Sequence, residues 1–244
     1  MSSQPSKLLV TSWGDKGYEQ YGRVFLESWK EHWSSVPLLV FHEGHAPELD
    51  GPLYLDLRDE TGLREFHERW GMVPEANGVV KTADGQLVCD YRWQACKFAR
   101  KVFAITSGRI PTAEWRIWID ADVVFKRPPD ERLWDYVTPE GCVGSYIGRI
   151  DWHHSECGWV AYKMPDCRKF LDRFRDLYAT ARVFEFSEWH DSYVFDHLMQ
   201  ESTDCWRWRN LADGVRGMHP WPNTILGEYM DHHKGPVAKK EFYG

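Results

Sequence analysis

The sequence predicts an α/β fold in a single domain, with a mostly parallel central sheet flanked by helices. Three observations carry that prediction. The N-terminal third alternates short apolar runs with a helical pattern in β-α-β order; the run RIWIDADVVF at 116–125 reads as a buried central strand; and amphipathic helical segments recur in the later half. Strands joined by helical crossovers lie parallel, with the helices on the faces of the sheet.

Lys7 to Trp13 (KLLVTSW) reads as a short buried strand. Over 18–33, Tyr18, Tyr21, Phe25, Trp29 and Trp33 recur at steps of three and four, the spacing of one helix face. Pro37 to His42 is a second strand, ended by Glu43-Gly44, and Leu53 to Leu57 a third. Thr61 to Trp70 has a helical pattern, whereas 71–87 reads as an irregular loop or hairpin, a long connection of the kind that is often functional. Residues 90–105 form a helix with Tyr91, Ala95, Phe98, Ala99 and Val102 on its apolar face and Trp93, Lys97, Arg100 and Lys101 on another. After 116–125, Pro128-Pro129 opens a short helix, DERLWDYV. Cys142 to Ile147 and Trp159 to Lys163 are further strands around the polar loop GRIDWHHSECG, and 166–180 and 187–200 are helices. No repeat, low-complexity tract or linker divides the chain, so 1–244 is read as one domain.

Composition narrows the function. Apolar residues are 43% of the 244, enough for a sizeable core. The net charge of -7 argues against a protein that coats nucleic acid non-specifically. Fourteen Trp is far more than a chain of this length usually carries; much of it is expected in the core, but Trp also stacks on flat or sugar-like ligands. The six Cys (89, 96, 142, 157, 167 and 205) form no C-x-x-C and no zinc-site spacing, which predicts reduced, mostly buried thiols. The N-terminal MSSQPSKLLV has no signal-peptide apolar region, and no apolar stretch is long enough to span a bilayer. The expectation is a soluble cytoplasmic chain without a membrane segment.

The chemistry centres on Asp120 and Asp122. In a strand, residues i and i+2 face the same side, so the two carboxylates converge on one object. Paired carboxylates repel unless a hard divalent cation lies between them, and such ions take oxygen ligands while keeping positions for water or phosphate. The alternative is a structural pair, one Asp capping a loop and the other salt-bridged to Arg116 or Lys126. Position favours the ion, because ligands of open α/β sheets bind beyond the carboxyl ends of the strands.

On WIDADVVF, on the polar loop after the first strand (VTSWGDKGYEQYG) and on the late segment YMDHHKG, the sequence resembles the GT-A nucleotide-sugar glycosyltransferases. The likeness is to the small glycogenin/galactosyltransferase-like and phage-type enzymes in particular. The first segment is similar to their D-x-D strand, the second to their uridine-contacting start, and the third carries their H-x-x-G, whose His is a metal ligand. The resemblance implies a Rossmann-like GT-A domain, its N-terminal half binding the nucleotide and its C-terminal half the acceptor. It implies Asp120, Asp122 and His232 as ligands of Mn²⁺ or Mg²⁺, with Asp120 also toward the donor, and Thr11, Trp13 and Tyr18 at the nucleotide. An O/O/N set suits Mn²⁺, and an oxygen-richer shell suits Mg²⁺. The family's phosphate-touching Lys lies three residues past the Gly; here that position is Ala238, so Lys234 and Lys239 are the candidates. Which ring of His232-His233 binds stays open.

The implied activity is metal-dependent transfer of a sugar from a nucleotide-sugar, a UDP-sugar by the resemblance, to an acceptor hydroxyl. A metal there neutralises the leaving diphosphate. Arg92, Lys97, Arg100 and Lys101 of the basic helix are candidates to assist it. A carboxylate base is sought in Asp191, with Glu156 second and Glu188 also available. The acceptor is expected to be a hydroxymethylated pyrimidine in bacteriophage DNA or a surface saccharide or protein, in the first case within the host cytoplasm. Two features fit DNA modification: 91–113 holds Arg92, Lys97, Arg100, Lys101 and Arg109 with no acid, and Trp206-Arg207-Trp208-Arg209 alternates rings and guanidinium groups. An amphipathic strand with Trp inward and Arg outward fits the second feature equally. A non-catalytic nucleotide-sugar-binding domain and a metal-dependent nucleotidyltransferase or phosphohydrolase are the other classes, although no P-loop occurs.

Overall fold

The structure, a computed structural model, describes residues 6–150, 154–201 and 207–234. A seven-stranded sheet runs in the order β10-β8-β9-β6-β1-β2-β3. Its strands are β1 (Lys7–Gly14), β2 (Leu38–Glu43), β3 (Leu53–Asp56), β6 (Trp115–Ile119), β8 (Gly144–Ile147), β9 (Glu156–Lys163) and β10 (Trp208–Asn210). The pairs β1/β2, β2/β3, β1/β6 and β8/β10 are parallel, and β9 lies antiparallel between β6 and β8. The expected mixed α/β architecture with a mostly parallel sheet is therefore present. Two antiparallel pairs stand apart, β4 (Val79–Lys81) with β5 (Leu87–Cys89), and β7 (Val123–Phe125) with β11 (Met230–His232).

Alternation along the strands explains the layers. Val10, Leu39, Phe41, Trp118 and Val160 turn to one face, under α3 (Thr61–Trp70), α4 (Ala95–Ile105), α6 (Arg168–Ala179) and α7 (Asp191–Glu201). Leu9, Leu38, Val40, Ile117 and Trp159 turn to the other, under α2 (Arg23–His32), α5 (Glu131–Val137), α8 (Leu226–Tyr229) and the β7/β11 pair. A sheet covered on both faces needs strands apolar at nearly every position, which is how these read. Much of the tryptophan is core: Trp13, Trp29, Trp33, Trp115, Trp118, Trp159 and Trp221 are buried.

Several boundaries differ from the sequence reading. The segment after β1 enters its helix through a short turn, α1 (Asp15–Gly17), and a π-helical turn, Tyr18–Gly22, before α2. The residues 71–87 end in the β4/β5 hairpin. The helix expected over 187–200 begins at Asp191. The largest correction is to 116–125, which is not one strand: β6 stops at Ile119, Asp120 to Asp122 form a turn, and β7 leaves for a different sheet. The five described Cys are free thiols. Among the described residues no helix is long and apolar enough to cross a membrane.

Candidate active site

The turn between β6 and β7 lies at the carboxyl edge of the parallel strands, beside the end of β1. The Asp120 N–H donates to the Gly158 carbonyl at 2.9 Å, extending the β6/β9 pairing one residue beyond Ile119. β7 then pairs with β11 in a register that sets Val123 opposite His232, and the His233 N–H donates to the Asp122 carbonyl at 3.0 Å. This short ladder brings His232 to the aspartates. Its Nε2 lies 3.2 Å from Asp122 Oδ1 and 4.0 Å from Asp120 Oδ2, and one ligand atom from each of the three falls within 4.8 Å of the others. The carboxylates thus converge through a turn and a second strand rather than through same-face alternation. The ring facing them belongs to His232, while His233 contributes its backbone. Asp122 and His232 are buried, whereas Asp120 keeps about a third of its side chain exposed (32%), so the group opens on the Asp120 side. Arg116 binds the Ile105 carbonyl and Lys126 binds Asp231, so neither takes the structural pairing the sequence allowed.

Behind His232 is a closed cluster. His232 Nδ1 is 2.9 Å from Glu156 Oε1, and Glu156 is fully buried at the start of β9. Arg149 Nη2 donates to Glu156 Oε2 at 3.1 Å, His219 Nδ1 approaches Oε1 at 2.8 Å, and Lys234 Nζ lies 3.7 Å away. Burial would raise the Glu156 carboxyl; the close approach of His219, the bond from His232 and the charge of Lys234 outweigh it and hold it far below the carboxylate range. Burial would lower His232, but Asp122 and Glu156 raise it to about 9. Glu156, His219 and His232 also have ligand-like spacing. Two cations already face Glu156 there, so the Nε2 side, with its two carboxylates, is the better cation site.

A third layer ties α4 and α7 to the turn. Lys101 Nζ lies 3.0 Å from Asp120 Oδ1 and 2.7 Å from Asp191 Oδ2, and donates to the Cys157 carbonyl at 2.5 Å. Trp118 Nε1 donates to the same Asp120 oxygen at 2.7 Å. Burial opposes charge on Lys101, but Asp120 and Asp191 reverse this and raise it. Burial likewise works against the Asp191 carboxylate, and Lys101 keeps it lowered and ionised. Tyr21 stands close enough to feel the pair: burial first, then Asp122 and Asp120, push its phenol up to about 12.

Other expected site residues are placed differently. Thr11 and Trp13 are buried and Trp13 packs on Phe25 and Tyr18, while Thr11 Oγ1 and Trp13 Nε1 find no hydrogen-bond partner among the described residues. Both point into the layer under α2, as alternation from Leu9 requires. Tyr18 is half-buried in the turn beyond β1. Arg92 is held by Asp90 at 2.7 Å, Arg100 by Glu43 at 2.6 Å, and exposed Lys97 lies over the Phe98 ring. Of the four basic candidates only Lys101 joins the aspartates, a distinction that periodicity cannot make. Arg109 pairs with Asp59, so most of the basic stretch is neutralised internally. Trp208 packs among Tyr162, Phe170 and Phe195, with Arg207 and Arg209 exposed, which is the inward/outward strand alternative. Trp206, Gly235 and Lys239 lie outside the described residues. Sequence reasoning missed Tyr21, Arg149 and His219, which carry no motif.

Beside the cluster is a cavity of about 500 Å³, lined by Tyr146, Arg149, Ser155 and Asn210 and by one stripe of α7. That stripe is Tyr193, Asp196, His197 and Gln200, spaced as one helix face. Asp196 accepts from the Ser155 N–H at 2.8 Å and from its hydroxyl.

No family model and no curated protein sequence matches the chain. Solved structures do. A glycosyltransferase involved in the glycosylation of the major capsid of PBCV-1 superposes with a TM-score of 0.50 at 12% identity, over 98% of this chain and 100% of its own. Mouse xyloside xylosyltransferase 1 gives 0.50 at 10% identity, over 93% and 92%. The WbbM bifunctional glycosyltransferase gives 0.52 at 10% identity, over 97% of this chain and 47% of its own. The fold is therefore GT-A, as the resemblance implied.

Proposed function

We propose that the chain is a divalent-metal-dependent glycosyltransferase that moves a sugar from a nucleotide-sugar, by preference a UDP-sugar, to an acceptor hydroxyl. The observation that carries this reading is the meeting of Asp120, Asp122 and His232 at the carboxyl edge of the parallel strands in a GT-A fold. Two carboxylates and an imidazole fit Mn²⁺ well, and the exposed side of Asp120 leaves room for phosphate and water. Such an ion would supply Lewis-acid neutralisation of the departing nucleoside diphosphate. Asp122 and His232, fixed by the β7/β11 ladder, hold the inner side of that centre, and Asp120 faces the incoming donor. Tyr18 and Tyr21, in the turn after β1, are the rings available to the base. Asp191 is ionised but paired with Lys101, which suits orientation of the donor better than proton abstraction. Buried Glu156, engaged at both oxygens, is likewise a poor base.

For the acceptor, the chemistry of the cavity supports a saccharide over DNA. Among the described residues Arg149 is its one Lys or Arg lining residue, already committed to Glu156 and to the His154 carbonyl. Tyr rings, amides and the Asp196 carboxylate suit hydroxyl groups, whereas a phosphate would meet that carboxylate. The test is a screen of nucleotide-sugars for slow hydrolysis, which needs no acceptor. One UDP-sugar hydrolysed in Mn²⁺ and not in EDTA is expected. No turnover of any donor, or the same rate in EDTA, contradicts the reading.

A further inference from the structure

We infer that Glu156 is a positioning residue for the metal centre, fixing the tautomer and the angle of the His232 ring. The inference rests on the reading of Asp120, Asp122 and His232 as metal ligands and assigns a role to a residue outside that set. An imidazole that gives Nε2 to a metal must carry its proton on Nδ1, and an acceptor on the Nδ1 side selects that form. Glu156 Oε1 is that acceptor, 2.9 Å from Nδ1, while Nε2 faces Asp122.

The surroundings leave Glu156 little freedom to do anything else. It is fully buried, and Arg149 holds its second oxygen at 3.1 Å. His219 spans two parts of the arrangement: its Nδ1 lies 2.8 Å from Glu156, and its Nε2 lies 3.2 Å from the His232 carbonyl. The ring itself is confined. Trp221 packs on it with centroids 4.7 Å apart, and a Cβ at Gly158, two residues along β9 from Glu156, would come within 2.7 Å of its Cε1. A carboxylate committed this way raises the basicity of the imidazole and removes its rotational freedom, which strengthens a ligand without touching the ion.

The experiment measures Mn²⁺ affinity from the free-ion electron paramagnetic resonance signal, in the wild type, in Glu156→Gln and in His219→Asn. Melting in EDTA shows which variants fold. Folded Glu156→Gln is expected to bind Mn²⁺ about 10–100-fold more weakly, and His219→Asn to lose less, in the same direction. Long-range proton–nitrogen NMR on the Mg²⁺-loaded wild type is expected to show His232 protonated at Nδ1. If Glu156→Gln does not fold, His219→Asn and the tautomer decide the matter. Unchanged affinity in the folded variants, or a proton on Nε2, overturns the inference while the metal centre stands. A wild-type chain that binds no Mn²⁺ overturns the metal centre, and this inference with it.

Discussion

His190 and His232 each sit beside carboxylate at ligand-like distances, and their surroundings engage them in opposite ways. His190 groups with Glu188 and His154, and His232 with Asp120 and Asp122. At His190, the Tyr193 N–H donates to Nδ1 at 3.3 Å, so the ring proton is on Nε2, which meets Glu188 at 2.8 Å. The residue caps the N-terminus of α7 and both its nitrogens are satisfied. Burial lowers its pKa, which suits this neutral form. At His232 the roles are reversed: Nδ1 is bound at the rear by Glu156, and Nε2 is aimed at two carboxylates, buried Asp122 and partly exposed Asp120. Proximity of His, Asp and Glu is therefore a weak criterion. What separates a cap from a candidate cation site is which nitrogen the rest of the fold has already engaged.

That contrast can be broken in four ways. Asp122→Asn removes a charged ligand at nearly constant shape and should lower transfer by about 1,000-fold or more, the scale of several kcal/mol of lost leaving-group stabilisation. Steady-state rates with the donor found by hydrolysis, alongside melting curves, check it; near-normal turnover would remove Asp122 from the centre. Gly158→Ala should push the His232 ring out of place and weaken Mn²⁺ binding by about 10–100-fold, read by calorimetry on the folded variant. pH should act on the same ring. Because His232 is raised to about 9 in the metal-free protein, Mn²⁺ must displace a proton below that value, so affinity should climb roughly tenfold per pH unit from neutrality to about 9. The sign for the metal-free chain is opposite: stability from protonated His232 is complete below the unfolded value of 6.5 and is lost as pH rises through about 9. A flat affinity profile would mean that His232 is not a ligand. The smallest effect is at the other histidine. His190→Ala should cost about 1 kcal/mol of stability through the lost cap and leave Mn²⁺ affinity unchanged; weakened binding would erase the distinction between the two.

Much of the frame was legible because it follows local rules. Steps of three and four gave α2 and α6, and short apolar runs gave β1, β2 and β9. The Asp pair was visible as charge inside an apolar run, although the run concealed a change of sheet. Nothing in 116–125 marks Ile119 as the last residue of one sheet and Val123 as the first of another; that division exists only because β11 arrives from more than a hundred residues away. Long-range pairing also explains the misses. Lys101 and Lys97 look alike in sequence, and only the packing of α4 against β1, α6 and α7 decides which meets Asp120. Trp13 lies buried in the layer that alternation from Leu9 sets.

The proposed activity requires a cation at Asp120, Asp122 and His232 to carry the diphosphate of the donor. Calorimetric titration of UDP into the chain, once with Mn²⁺ and once with EDTA, tests it most directly. Binding that requires Mn²⁺ and disappears in Asp122→Asn is the expected result. Equal UDP affinity in EDTA would contradict it.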